Sequence, residues 1–250
     1  MKNDKILATR THKVIYQVGN TAVKVFDTNF PKTDVLNEAL NQARVEETGL
    51  PIPKVLGVNV TEDGNWCITS EFEAGKTLEQ LMEENPKKLE QYMREFVTLQ
   101  LEVHSKTAPL LNKLKDKWDS KIAASKAINA TTRYELRTRL SSMPKHNKVL
   151  HGDFNPSNII VGEDGQYHIL DWSHATQGNA SADAATTYLL FALKDQKTAD
   201  LYMDLFCEMS DTAKQYVQRW LPITAASRLS KGIPAEKELL ENWLDVVEYE

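Results

Sequence analysis

Cysteine is scarce in this chain: two in 250 residues, Cys67 and Cys207, far apart and at no metal-binding or redox spacing. That excludes a disulfide framework and reads as buried, reduced thiols in a cytoplasmic protein. Long hydrophobic runs are missing as well. The longest, such as YLLFAL at 188–193, fall far short of the ~20 residues a bilayer crossing needs. The opening MKNDKILATR is basic but lacks the apolar core of a secretory signal. Neither sign of charge dominates: 30 Lys and Arg against 35 Asp and Glu leave a net charge of −5, so no basic surface advertises nucleic acid or an anionic membrane. Internal repeats and low-complexity tracts are absent. A cytoplasmic globular protein is expected, monomeric or weakly dimeric.

Within that frame the character of the chain changes once. The first seventy residues read as strands with one helix among them. KVIYQVGNTAVKVF is two β-rich runs around Gly19-Asn20, a tight hairpin turn. TDVLNEALNQARVEE has Val35, Leu36, Ala39, Leu40 and Ala43 at helical spacing, with Thr33 or Asp34 as its cap and Gly49 as its end. Two more strands follow, LPIPKVLGVNV and WCITSEF, joined by the EDGN turn. Beyond EAGKTL the pattern becomes helical. Asn85 caps and Pro86 opens a long helix with Leu89, Met93, Phe96, Leu99 or Gln100, and Val103 on one face. Residues 112–142 predict one or two further helices, and 182–249 predict helices broken at Pro222 and Gly232 to Pro234. The class is therefore α+β: an N-terminal lobe over 1–72 with a small antiparallel sheet and one helix, and a mainly helical lobe over 73–250. A site is expected where the two lobes meet.

The chemistry concentrates in VLHGDFNPSNIIVGEDGQYHILDW, residues 149–172. The GEDG turn folds the strand NIIV back on YHILDW, which returns Asp171 to the neighbourhood of Asn158. An amide oxygen and a carboxylate that converge can hold Mg²⁺, a hard ion that prefers oxygen ligands and phosphate oxygens. Asp153 then has a separate task, to accept or orient the proton of an attacking hydroxyl, and the combination suits phosphoryl transfer. On spacing alone, NPSN could equally be a β-turn in which Asp and Asn satisfy local backbone donors.

HGDFNPSNII followed by HILDW resembles the catalytic and metal-binding segments of the aminoglycoside phosphotransferase family. That group of small-molecule kinases includes choline kinases and shares the protein-kinase-like two-lobe fold. The resemblance implies Asp153 as catalytic base, Asn158 and Asp171 as magnesium ligands, and His151, Gly152 and Pro156 as shapers of the loop. It also implies that Lys24 in AVKVF contacts nucleotide phosphates and pairs with Glu38, where the residue alone could be an edge-strand lysine reaching solvent. WCITSEFEAGKTL is similar to the family's hinge, which places adenine contacts at the backbone of Ser70 and Phe72, with ATP and GTP undistinguished. His104 is expected to be a buried hydrogen-bonding residue. Asp183 is expected to brace the catalytic loop or simply to cap its helix. One departure is clear: ATRTHKVIYQVGN, with Thr9, Thr11 and His12, has no glycine-rich phosphate loop. That, with no A-P-E segment and no room for a long activation loop, argues against a protein kinase.

The expected activity is Mg²⁺-dependent transfer of the γ-phosphate of ATP or GTP to a hydroxyl of a small molecule: an aminoglycoside or other antibiotic, a sugar or an amino alcohol. The tail ENWLDVVEYE offers Glu241, Trp243, Asp245, Glu248 and Glu250 as walls for a cationic acceptor. The same spacing also describes a solvated helix face with Trp243, Leu244 and Val247 beneath it. Two other readings stand beside the kinase: a nucleotide-binding regulator of the same fold without catalysis, and a metal-assisted hydrolase using the two aspartates.

Overall fold

The computed structural model describes residues 5–244. In chain order the elements are β1 (Lys5–Arg10), β2 (Lys13–Val18), β3 (Thr21–Phe26), α1 (Lys32–Glu46), β4 (Val55–Val60), β5 (Trp66–Glu71), β6 (Gly75–Thr77), α2 (Leu78–Glu84) and α3 (Leu89–Ser105). Next come α4 (Leu114–Ala124), α5 (Ala130–Ser142), β7 (Lys148–Leu150), β8 (Ile159–Gly162), β9 (Tyr167–Ile169) and β10 (Thr176–Gly178). The chain closes with α6 (Ala180–Ala192), α7 (Gln196–Ser210), α8 (Lys214–Gln218), α9 (Leu221–Leu229) and α10 (Lys237–Glu241). An antiparallel sheet with one helix, followed by a mainly helical region, is the α+β arrangement the sequence predicts.

The chain divides into two units. The first runs to Glu84 and takes in Pro156–Ala175; the second is Asn85–Asn155 with the chain from Thr176 onward. The sheet unit therefore holds, besides 1–72, residues 73–84 and the 156–175 hairpin.

In the sheet unit, five antiparallel strands lie in the order β1-β2-β3-β5-β4. Gly19 takes a positive φ of 58°, so Gly19-Asn20 closes a two-residue turn that sets Val18 opposite Thr21. Phe26, Val35, Ala39 and Ile68 form the core between the sheet and α1, with Phe30 stacked on Phe26 at 4.9 Å. Helix α1 departs from its expected pattern. Pro31, not Thr33 or Asp34, stands at its N-cap, and Asp34 instead lies in the first turn. Its buried face is Val35, Glu38, Ala39, Asn41, Gln42 and Val45, whereas Leu36 and Leu40 are exposed. The polar members find partners for their donors or charge: Gln42 Nε2 donates to the Pro53 carbonyl at 2.6 Å and Asn41 Nδ2 to the Ser173 carbonyl at 3.3 Å, while Glu38 pairs with Lys24. A second sheet, β6-β8-β9, completes this unit.

The helical unit packs around Phe96 of α3, whose ring meets Phe154, Phe191 and Tyr202 at 4.7, 5.6 and 5.9 Å. Most of the expected face of α3 is buried, namely Met93, Phe96, Leu99, Gln100 and Val103, while Leu89 at its start is half-buried. Its start differs, since Asn85 and Pro86 lead into one 3-10 turn, Pro86–Lys88, before the α-helix begins. Strands β7 and β10 pair here, and β7 leads directly into the segment that carries Asp153. Both cysteines are free thiols, Cys67 buried and Cys207 half-buried.

Candidate active site

Strand register builds the first part of the site. Counting outward from the Gly19-Asn20 turn pairs Ile15 with Lys24 and Lys13 with Phe26. Directly opposed residues share a face, so Lys13 and Lys24 lie diagonally on the α1 side of the sheet. Both reach the same two acids. Lys24 Nζ donates to Glu38 Oε1 of α1, and lies 3.5 Å from Asp171 Oδ1. Lys13 Nζ is 3.1 Å from Asp171 Oδ2 and 3.8 Å from Glu38 Oε2. Glu38 is almost wholly buried, with 3% of its side chain exposed, so it is stable there only because it is paired. Burial by itself would push the Lys24 pKa down. The carboxylates of Asp171 and Glu38 outweigh it and hold the ammonium protonated well above its usual range. For Asp171, too, burial opposes the charged form, but Lys24 and Lys13 prevail and keep the carboxylate far below its ordinary pKa.

Asp171 arrives there through β8 and β9. Ile159 pairs with Ile169, and the Leu170 N–H donates to the Asn158 carbonyl at 2.8 Å, so Asn158 and Asp171 sit at one end of the hairpin. Asp171 takes the left-handed backbone conformation, φ 61° and ψ 63°, one of only two such non-glycine positions among the described residues. Trp172, fully buried with its indole N–H on the Ile169 carbonyl at 3.1 Å, anchors the following turn and holds that strained residue in place. The oxygens that Asn158 and Asp171 offer are hard donors and the Asp171 carboxylate is ionised, a chemistry that suits Mg²⁺. No group of three or more His, Cys, Asp or Glu that could hold a metal ion occurs among the described residues.

Asp153 belongs to the helical unit. Its segment is held from beneath by Asp183, which is 2% exposed and accepts three hydrogen bonds: the His151 N–H at 3.1 Å, the Gly152 N–H at 2.8 Å and His104 Nε2 at 3.0 Å. An ionised carboxylate only accepts, so His104 carries its proton on Nε2. Burial would raise the Asp183 pKa, but the hydrogen bond from His104 leads the effects that lower it below its ordinary value. The cap of α6 is Asn179, whose side chain accepts from the Ser181 N–H; Asp183 is therefore the brace of the loop and not the cap. A second support was not foreseen. Tyr202 donates to Gln100 Oε1 at 2.6 Å, Gln100 donates to Thr187 at 3.0 Å, and Thr187 donates to the Phe154 carbonyl at 3.0 Å. Three helices are thus tied to the residue beside Asp153. Asn155, also unforeseen, sets its amide 3.4 Å from Asp153 Oδ2 and 2.9 Å from the Asp153 carbonyl.

Of the two expected adenine-reading positions, Ser70 lies in β5, paired with Ala22 of β3 and Val55 of β4. The Phe72 N–H just beyond donates to the Asn20 carbonyl at 3.3 Å. In the tail, Trp243 meets the Tyr188 ring edge-on at 5.9 Å, and Glu241 is exposed. Asp245, Val247, Glu248 and Glu250 lie outside the described residues. No described helix is long and apolar enough to cross a membrane.

Comparison with known proteins gives the class. The model of the phosphotransferase enzyme family matches residues 9–216, and the chain belongs to that family. Among solved structures, a thermostable mutant of aminoglycoside phosphotransferase APH(4)-Ia superposes with a TM-score of 0.69 at 16% identity, over 97% of this chain and 92% of that one. A choline/ethanolamine kinase family protein from Mesorhizobium loti gives 0.64 at 14% identity, over 98% and 89%. A mutant of aminoglycoside 2'-phosphotransferase-IIIa in its GDP complex gives 0.64 at 18%, over 97% and 91%. At these identities the likeness is one of fold, and it is the protein-kinase-like fold. Another structure of the first enzyme is a ternary complex with AMP-PNP and hygromycin B. Comparison with curated sequences returned no match.

Proposed function

We propose that this protein is a cytoplasmic small-molecule kinase that moves the γ-phosphate of ATP or GTP to a hydroxyl of its acceptor, with Mg²⁺ as cofactor. The observation that carries the reading is the cluster of Lys24, Glu38 and Asp171. Sheet, helix and hairpin each deliver one of these residues, and the carboxylate of Asp171 stays ionised at the end of a strained turn. In this reading Lys24, steadied by Glu38, binds the phosphates. The backbone of Ser70 and Phe72 borders the adenine. Asn158 and Asp171 hold Mg²⁺, which when bound would neutralise phosphate charge. Asp153, its carboxylate oriented by Asn155, receives the proton of the attacking hydroxyl. Acceptors to be tried are aminoglycosides, other antibiotics, sugars and amino alcohols; the aminoglycoside phosphotransferases and the choline/ethanolamine kinase family protein among the solved structures support the first and last of these.

The test is a phosphate-transfer screen over those acceptors with ATP and GTP in parallel, read as nucleoside diphosphate and phosphorylated product. Asp153→Ala should lower turnover roughly 10²–10⁴-fold while nucleotide binding persists. Full activity in that variant would refute the assignment of Asp153. Nucleotide binding without transfer to any acceptor would instead indicate a catalytically inactive regulator.

A further inference from the structure

We infer that Lys13 is a second phosphate-binding lysine, taking over at the β1–β2 turn the role that glycine-rich backbone amides have in protein kinases. The inference rests on the kinase reading above. Four observations lead to it.

The β1–β2 turn is Thr11-His12, closed by the pairing of Arg10 with Lys13, and it contains no glycine. Glycine is the residue that lets a backbone approach phosphate most closely, and this turn has none, which leaves room for a side-chain donor to meet the charge. Lys13 is the first residue after that turn, and its ammonium reaches Asp171 Oδ2 at 3.1 Å, the carboxylate assigned to the metal. A group that close to a metal ligand lies within one side-chain rotation of the phosphate oxygens the metal would share. The turn is also pinned: His12 Nδ1 lies 2.9 Å from Asp27 Oδ2, and the Asp27 N–H donates to the His12 carbonyl at 3.0 Å. The base of Lys13 is thereby fixed beside β3, so that only the side chain, now paired with Asp171, has to move to meet a phosphate.

Charge balance points the same way. Lys13 and Lys24 face two carboxylates, Glu38 and Asp171, in a cluster whose formal charges cancel. A cation entering at Asp171 competes with Lys13 for Oδ2, since an oxygen that coordinates a metal loses much of its attraction for an ammonium. Lys24 keeps its bond to Glu38, and the displaced Lys13 is the cation left to meet the triphosphate. A lysine that merely neutralised Asp171 would have no reason to discriminate between nucleotides by phosphate number.

The experiment measures binding, not turnover. Fluorescence competition gives the affinities of the wild type and of Lys13→Met, Lys13→Gln and Lys13→Arg for adenosine, ADP and ATP, with Mg²⁺ and with EDTA. Loss of a charge-assisted contact should weaken ATP binding by roughly tenfold to a hundredfold in Lys13→Met, leave adenosine within about threefold, and be largely restored by Lys13→Arg. If Lys13→Met leaves the sheet unfolded, Lys13→Gln carries the same comparison, because it keeps a donor for Asp171 without the charge. Equal losses for adenosine and ATP would make Lys13 a prop of the sheet and overturn the inference, as would ATP binding unchanged from wild type. A wild type that binds no nucleotide at all would overturn the kinase reading and this inference together.

Discussion

Replacing Asp183 by Asn is the most direct test of how the loop carrying Asp153 is supported. The carboxylate is 2% exposed and accepts from His104 Nε2 and the backbone N–H groups of His151 and Gly152. Both oxygens are used: Oδ1 by Gly152, Oδ2 by His104 and His151. An amide of the same shape presents one oxygen and one NH₂, so at least one buried N–H then faces another donor. Leaving a buried donor unsatisfied costs about 1–3 kcal/mol, and the surviving bonds lose their charge assistance. The sum is about 3 kcal/mol, which for a chain of this size lowers Tm by roughly 6–12 °C. Calorimetry at pH 7 measures it. The pH dependence supplies an independent arm. Because the folded carboxyl is held below its ordinary value of 3.8, its contribution is complete above that value and fades as pH falls through the lower, folded one. The Tm gap between wild type and Asp183→Asn should therefore be constant from pH 8 to 5 and close below about pH 4. A gap under about 2 °C at pH 7, or one that does not narrow in acid, refutes the reasoning.

Two further perturbations address other joints of the fold. A Cβ at Gly75, where φ is 156°, would lie 2.1 Å from the Val161 carbonyl oxygen, so Gly75→Ala should part β6 from β8 and cost about 2–4 kcal/mol. At Gly165 the added Cβ meets nothing within 4 Å, and Gly165→Ala should cost only the ~1 kcal/mol of a positive φ; urea titration should rank the two variants in that order, and the reverse order counts against the packing argument. Tyr202→Phe deprives the buried Gln100 Oε1 of its donor and should lower stability by about 1–3 kcal/mol. Nucleotide affinity should stay as in wild type, and an unchanged Tm would show that Gln100 does not need the phenol.

Much of this site could be read without coordinates, for reasons particular to its residues. The Gly19-Asn20 turn leaves one register open, and counting from it places Lys24 opposite Ile15. The 162–165 turn likewise returns Asp171 to Asn158, because a short hairpin brings its two ends together. The same count would have put Lys13 on the face of Lys24, yet a lysine at the start of a strand normally reads as a solvent-facing end. Leu36 and Leu40 were misleading in the other direction: helical spacing marks a face but not which face packs, and here Glu38, Asn41 and Gln42 are the buried ones. Nothing local signals the chain from Tyr202 through Gln100 and Thr187 to Phe154, since its members are up to 102 residues apart and ordinary one by one.

The sequence by itself determined the family, the α+β class, the tight turn before the strand of Lys24 and the hairpin that carries Asp171. These depend on neighbours along the chain, where bond geometry and turn chemistry leave few choices. Only the tertiary structure decided that Lys13 reaches an aspartate 158 residues away, that α1 buries Glu38, Asn41 and Gln42 beside Val35, Ala39 and Val45, and that Asp183 supports the loop carrying Asp153. Those outcomes depend on which distant groups exclude water together, and a buried charge is stable only where packing brings its partner.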